Sequence, residues 1–490
     1  MTGIRLELIT DPKILNMLER HKRGGLCFVG SKRHAKANSR ELPDYDDAKP
    51  STYIQHYDVN NLYGHAMVQP LPFRGFRLDE IEEGRPVEGL LKMSTDREDD
   101  NDIGCILELD MFAPTEIHDL LKEFPPAPEN LDPKVEWFSD FQRDLGQKAG
   151  SIKENGAYSA SCKLVPHLFE RKNYVIHDRN LKFLLELGFK VTRIHKILWF
   201  EQKPWLKEYI DFNTGRRAQA KTDFEKDFFK LMNNSVFGKT MENVKNRVDV
   251  RIAVNDVTAI KQFTKPTYKH SQYINGIYLI EHFRRKIVYD KPLYVGTSIL
   301  DLSKVCMMDF HYNVIQKQFP GRHHLLYSDT DSLVYELQHD NIYDWVWRNK
   351  SLFDLSDMER ANMKDNENKK VVGKMKDETH GLQITEFTSL NPQVYSFKYQ
   401  TKDELKLETK KCCKGVSKTV VKKEISHEDY VRQLDNPIPL ERCVTSIRSQ
   451  RHQLYTTVSK KKALTAFYDK LKQIDHIHNV PFGYMNGIDV

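Results

Sequence analysis

Two aspartates one residue apart, in the stretch YSDTDSLVYEL (Tyr327 to Leu337), are the first side chains in this sequence that could do chemistry. Asp329 and Asp331 flank Thr330, with apolar residues on both sides, a pattern that reads as strand, turn, strand. A third carboxylate, Asp58, closes the β-branched and aromatic run YIQHYD, ahead of a tight turn and a helix start over Leu62 to Met67. These residues lie far apart in the chain, so only folding can join them. Joined, Asp58, Asp329 and Asp331 are hard oxygen ligands suited to Mg²⁺. Two such ions, about 3.5–4 Å apart, hold both the attacking and the leaving oxygen of an in-line phosphoryl transfer. Read alone, Asp-Thr-Asp-Ser is first of all hairpin-turn composition.

A second group is KLMNNSVFG, Lys230 to Gly238. Lys230 and Asn234 fall on one helix face, where an ammonium and an amide suit a triphosphate. Ser235 and Gly238 are small enough to admit a flat base pair, and Phe237 offers a stacking face. The bland alternative is an amphipathic helix with solvated lysines. A third is the run of main-chain N–H groups from Val59 to Tyr63, which could cradle phosphates where the turn opens the helix. Tyr63 either packs under a sugar or belongs to the core.

The elements that must position these groups can be read along the chain. Leu42 to Ser51 is a loop. The Glu-, Asp- and Pro-rich stretch from Asp79 to Pro133, with strand-like CILELDMF inside it, reads as a peripheral insertion. Leu181 to Phe200 reads as helix, glycine, strand. Lys203 to Arg247 is strongly helical, with Phe224, Phe228, Leu231 and Met232 at helix spacing and Lys226 and Lys230 on another side. Ser298 to Gln318 is a second long helix. From about Gln400 the chain is lysine-rich and reads as a small separate subdomain.

Composition narrows the class. A hydrophobic fraction of 39% suffices for packed cores, and 29% charged residues is ordinary for a globular chain. Lys+Arg 75 against Asp+Glu 69 gives a net charge of only +6, so the distribution of charge matters more than its sum. Lys398 to Lys423 holds nine lysines against three acids. Lys460, Lys461 and Lys462 form another basic cluster near Arg448 and Arg451. Seven scattered cysteines without a CxxC pair argue against a disulfide framework or a zinc site and fit a reducing compartment. No apolar run is long enough to span a bilayer, and the N-terminus has no signal-peptide core.

Taken in order, the three groups resemble the family B DNA polymerases. DVNNLYG is similar to that family's motif A, D-x-x-S-L-Y-P. KLMNNSVFG is similar to motif B, K-x-x-x-N-S-x-Y-G, and YSDTDS to motif C, Y-x-D-T-D-S. IHKILWFEQKPWL and KPLYVGTSILDLSK extend the resemblance over nearly the whole chain. KRGGL (Lys22 to Leu26), the insertion-bearing 76–200 stretch and the wording NNLYG with FGKTMEN resemble the protein-primed, virus- or transposon-derived (Maverick-like) subgroup.

The resemblance implies an α+β right-hand polymerase: a palm whose antiparallel sheet bears the carboxylates, helical fingers and a small thumb. Its implied divisions are 1–75 (palm with motif A), 76–200 (insertion), 201–247 (fingers with motif B), 248–399 (palm with motif C) and 400–490 (thumb). It implies Asp58, Asp331 and the main chain of Val59 as holders of two Mg²⁺, or Mn²⁺, with Asp329 as a supporting carboxylate. Asn61, Leu62, Tyr63, Lys230, Asn234 and Lys226 would meet the dNTP, Tyr63 as the gate against a ribose 2′-OH. Arg217 and Lys221 lie where further phosphate ligands occur. Tyr327, Thr330, Gly238, Tyr395, Lys411 and Lys414, with Lys410 beside them, would meet primer–template DNA, and a terminal protein primer is an expected partner of the subgroup. A transposon-derived enzyme acting on host DNA would work in the nucleus.

Departures stand beside the likeness. Asn61 replaces serine, Gly64 replaces proline and Phe237 replaces tyrosine. The family's K-x-Y becomes Gln393-Val394-Tyr395, which removes a cation at the primer end; Lys398 is the nearest expected substitute. The stretch before Asp58 is too short for a 3′–5′ exonuclease domain, so proofreading is expected to be missing and the chain to be a truncated product or a piece of a longer gene. Two competing readings are a reverse transcriptase, disfavoured because its hairpin would read Y-x-D-D, and a transposon-derived remnant that only binds DNA.

Overall fold

The run Thr52–Val59 (TYIQHYDV) is β-branched and aromatic, and Tyr53, Ile54, Gln55, His56, Tyr57 and Val59 are all buried in it. Covered on both faces, it shows no in–out alternation and takes the middle of a sheet. The computed structural model describes residues 2–96, 98–360, 363–401, 406–450 and 453–485. In the central sheet the strands run Cys27–Val29, His323–Asp329, Ser332–Gln338, Thr52–Val59, Ile384–Asn391, Val394–Gln400, Leu407–Cys413. These pairings are antiparallel. The short strand Met375–Asp377 pairs with the C-terminal half of Thr52–Val59, so Asp58 lies between Ser332 on one side and Lys376 on the other.

A second antiparallel sheet has the order Leu71–Glu80, Lys190–Lys203, Ile103–Phe112, Arg171–His177. Its strand Ile103–Phe112 contains CILELDMF, and Cys105, Ile106, Leu107, Leu109 and Met111 are fully buried. The expectation of a peripheral insertion is therefore corrected at this strand. Its acids look solvent-facing but point into partners: Glu108 takes both Arg20 guanidinium nitrogens at 2.7 and 2.8 Å, and Asp110 meets His195 at 2.8 Å. A third sheet, Asp249–Ala253, Ile277–His282, Tyr268–Ile274, carries the helix Asp256–Phe263 on a small core of Ala253, Ala259 and Ile280.

Helices Lys207–Gln219 and Asp223–Thr240 pack side by side, the second opened by a Thr222/Glu225 capping box. Phe224, Phe228 and Leu231 do repeat at helix spacing, yet they face solvent, 79%, 46% and 63% exposed. The helix Leu293–Asp309 is buried over most of its length and continues as a π-helical stretch, Phe310–Gln316. The lysine-rich C-terminal part is less separate than expected, because Leu407–Cys413 is an edge strand of the central sheet. Beyond it, helices Lys418–Glu424 and His427–Asp435 and the hairpin Leu440–Gln450/Gln453–Leu464 share a modest core around Tyr430 and Leu464. Residues 402–405 and Arg451, part of the basic clusters, lie outside the described residues. Among the described residues no helix is long and apolar enough to cross a membrane.

Candidate active site

The hairpin joining His323–Asp329 to Ser332–Gln338 turns through two residues, Thr330 and Asp331. Thr330 has φ +59°, a left-handed conformation that a β-branched residue resists. It is fixed from two sides. Its N–H donates to the Leu26 carbonyl at 2.9 Å, and a Cβ on Gly25 would stand 2.4 Å from its side chain, so glycine is required there. The Asp331 carbonyl accepts from Val59 N–H at 2.7 Å, which stitches the hairpin tip to the end of the Asp58 strand. Ser332 pairs directly with Asp58. Folding thus brings Asp58 and Asp331 together.

Their electrostatics show the proximity. Burial first, then repulsion from Asp331 and Glu378, push the Asp58 carboxyl up to about 8; Lys230 and Lys376 oppose the rise. Asp331 is raised too, by burial and by Asp329 and Glu378, again with Lys230 in opposition. Lys230, on the Asp223–Thr240 helix, therefore lies within electrostatic reach of both carboxylates from a separate element. Glu378 was not singled out from the sequence. It arrives beside them because its N–H donates to the His56 carbonyl at 2.9 Å, just past the Met375–Asp377 strand.

Asp329 does not join the pair. Its oxygens accept from Gln393 Nε2 at 3.2 Å, Tyr327 Oη at 3.5 Å and Thr330 Oγ1 at 3.4 Å. Gln393 N–H in turn donates to Tyr327 Oη at 2.8 Å, and the Tyr327 and Tyr395 rings lie 5.0 Å apart. Among the described residues no three Asp, Glu, His or Cys side chains are placed to share a metal ion. The expected trio of ligands is a pair, Asp58 and Asp331, plus a separately held Asp329. Two half-buried carboxylates that repel each other, with no ion pair to either among the described residues, nonetheless suit a hard divalent cation.

After Asp58, Asn61 takes φ +48° and caps the helix Leu62–Met67, its Oδ1 accepting from Gly64 N–H at 3.2 Å. A Cβ on Gly64 would stand 2.2 Å from Asn61 Nδ2. The two departures in motif A are thus one device: the asparagine cap needs the glycine. The main-chain cradle is smaller than expected, since Val59 N–H goes to Asp331 and Asn60 N–H to the Lys374 carbonyl. Leu62 is buried, and the Tyr63 ring lies 4.3 Å from that of Phe237, which ties motif A to motif B. Burial and then Asp331 raise the Tyr63 hydroxyl.

The remaining expected residues divide. Asn234 and Gly238 are exposed on the same helix as Lys230. Lys226 pairs with Asp223 at 2.9 Å, and Arg217 Nε is buried without a hydrogen-bond partner among the described residues. Lys411 gives its amine to the carbonyls of Lys422 and Ile425, a bracing role within its own subdomain. Lys410 lies over the Phe397 ring. Lys398, the expected substitute for the missing K-x-Y cation, pairs instead with Glu428 at 2.7 Å and Glu386 at 3.5 Å, away from the hairpin tip.

The family model for DNA polymerase type B, organellar and viral, matches residues 46–316, more than half of the chain and inclusive of Asp58 and Lys230. The chain belongs to that family. No curated protein matches the sequence of this type B polymerase chain. Among solved structures it is similar to the phi29 DNA polymerase complexed with primer-template DNA and incoming nucleotide, with TM-score 0.54, 14% identity, and coverage of 94% of this chain and 64% of that one. The phi29 polymerase bound to primer-template DNA alone gives 0.54 at 13%, and its complex with single-stranded DNA 0.51 at 13%, with the same coverage. The likeness at this identity shows the right-hand fold, and the chain spans less than two thirds of the length of those polymerases.

Proposed function

We propose that this chain is a template-directed DNA polymerase that adds a deoxynucleoside monophosphate to a primer 3′-OH. One observation carries the reading: Asp58 and Asp331 meet at adjoining strand ends, with Lys230 of the neighbouring helix within electrostatic reach of both. Asp58, Asp331 and the main chain of Val59 would hold divalent ions, Mg²⁺ or Mn²⁺, which would supply positive charge beside the primer 3′-oxygen and the leaving pyrophosphate.

The protein's own groups do the rest. Lys230 and Lys226 grip the triphosphate, and Asn61 and Leu62 approach it through the main chain. The Tyr63 ring, pinned by Phe237, lies under the sugar and blocks a 2′-OH. Asn234 and Gly238 border the nascent base pair. Tyr327, Thr330 and Tyr395 shape the seat of the primer end, and Lys414 meets duplex phosphates.

The test is primer extension on a DNA template with Mg²⁺ and dNTPs, beside Asp331→Asn. Extension by the wild type that is lost in the variant is the expected result. A wild type that binds primer–template yet never extends it overturns the proposal.

A further inference from the structure

The family's K-x-Y lysine is missing at Gln393, and Lys398 is engaged elsewhere. A different cation stands at this end of the sheet. Lys470 follows Asp469 in a segment that is firmly seated. Tyr468 is fully buried with its hydroxyl accepting from Val29 N–H at 3.1 Å, and Leu471 is buried with its carbonyl accepting from Gln142. From there the Lys470 amine donates to the Cys27 carbonyl at 2.8 Å. Cys27 is the residue paired directly with Asp329 across the sheet. Adjacent strands are about 4.8 Å apart, so the amine lies within about 10 Å of the Asp329 main chain.

Burial is the first cause that lowers the Lys470 ammonium, and no acid is committed to it. Asp469, the nearest acid, is taken by Lys163 and the Tyr158 hydroxyl. Among the described residues neither Lys470 nor Lys414 has an ion-pair partner within 4 Å, and the two lie close enough to repel. Lys414 donates its main-chain N–H to the Gln393 carbonyl at 3.0 Å, which sets Lys414 beside the turn that carries Gln393. A half-buried cation with no counter-ion among the described residues is a cost that an anion would relieve.

We propose that Lys470, reaching in from the C-terminal segment, is the positioning residue that holds the primer-terminal phosphates in place of the absent K-x-Y lysine. This rests on the polymerase reading. The neutral Gln393 is free to orient Asp329 because the cation comes from elsewhere in the chain. Such a residue contributes to DNA affinity and to the alignment of the 3′ end rather than to nucleotide binding.

The test uses the full chain and a fluorescent 3′-recessed primer–template, read by anisotropy over a salt series without nucleotide. Lys470→Gln keeps a donor for the Cys27 carbonyl while removing the charge. It should bind the junction about tenfold more weakly, with a log–log salt slope shallower by about 1, the loss of one phosphate contact. Single-stranded template should bind as before, and Lys470→Arg should behave as wild type. Placing Gln393→Lys in the Lys470→Gln background should restore most of the affinity, an outcome that a merely structural role cannot give. Unchanged affinity and slope in Lys470→Gln overturn the inference, as does a loss that neither Lys470→Arg nor Gln393→Lys repairs. A wild type with no affinity for primer–template overturns the polymerase reading, and this inference with it.

Discussion

Removing the Asp58 carboxylate should make this protein more stable. The Asp58 carboxyl sits at about 8 rather than its usual 3.8, through burial and the nearness of Asp331 and Glu378. Between those values the folded chain keeps a proton that the unfolded chain has released. Stability therefore falls as pH rises across that window, and is level above it. Each pH unit crossed within the window costs about 1.4 kcal/mol, so between about pH 5 and pH 8 the loss is at most about 4 kcal/mol for an isolated group. Coupling to Asp331 divides that between the two acids. Asp58→Asn has the same shape and nothing to ionise. In EDTA, urea midpoints of the wild type should decline over this range, while those of Asp58→Asn stay nearly flat and lie higher at pH 8. Parallel pH profiles for the two proteins would refute the account of Asp58 as a half-buried, repelled acid.

Two further outcomes follow from the same bonds. Gly64→Pro removes the N–H that caps onto Asn61 and puts ring atoms against its amide, so it should cost about 1–3 kcal/mol by chemical denaturation; with Asn61→Ser in the same chain the two losses should fall well short of additive. Glu386 is drawn well below the usual carboxylate range: burial opposes this, but His34 at 3.0 Å, His427 at 3.2 Å and Lys36 at 3.6 Å outweigh it. A depressed acid stabilises above its unfolded value and loses that contribution as pH falls, so Glu386→Gln should show a flatter acid limb in midpoint against pH, and an unchanged limb would refute it.

What could be read from the sequence was whatever depended on near neighbours. The turn after Asp58, the hairpin at Asp331 and the helix bearing Lys230 each carry local chemistry, and each stands where that chemistry puts it. What depended on pairing at a distance was not legible. Glu378 sits in an unremarkable acidic stretch and matters only because Met375–Asp377 docks on the Asp58 strand. Glu108 and Asp110 look like solvent residues until Arg20 and His195 arrive from other segments. The Phe224 stripe has helix period, yet period alone does not say which face other elements will cover. Gln393 read as a loss because the sequence does not reveal Lys470 beside Cys27.

The same distinction bears on how the site is held. Three non-glycine residues around the carboxylates, Asn61, Thr330 and Gln393, hold positive φ at 48°, 59° and 59°. Each such conformation costs on the order of 1 kcal/mol and persists only where its surroundings over-determine it. Here they do so by separate means: Gly64 under the Asn61 cap, Gly25 and the Leu26 carbonyl around Thr330, and Tyr327, Cys412 and Lys414 around Gln393. Strained turns that relax by a few tens of degrees would carry Asp58, Asp331 and Asp329 out of register by an ångström or more, enough to spoil an in-line transfer. Gly64 and Tyr327 brace from within the motifs, while Gly25, Leu26, Cys412 and Lys414 come from other segments, so the tolerance of the site is set by residues inside the motifs and outside them together.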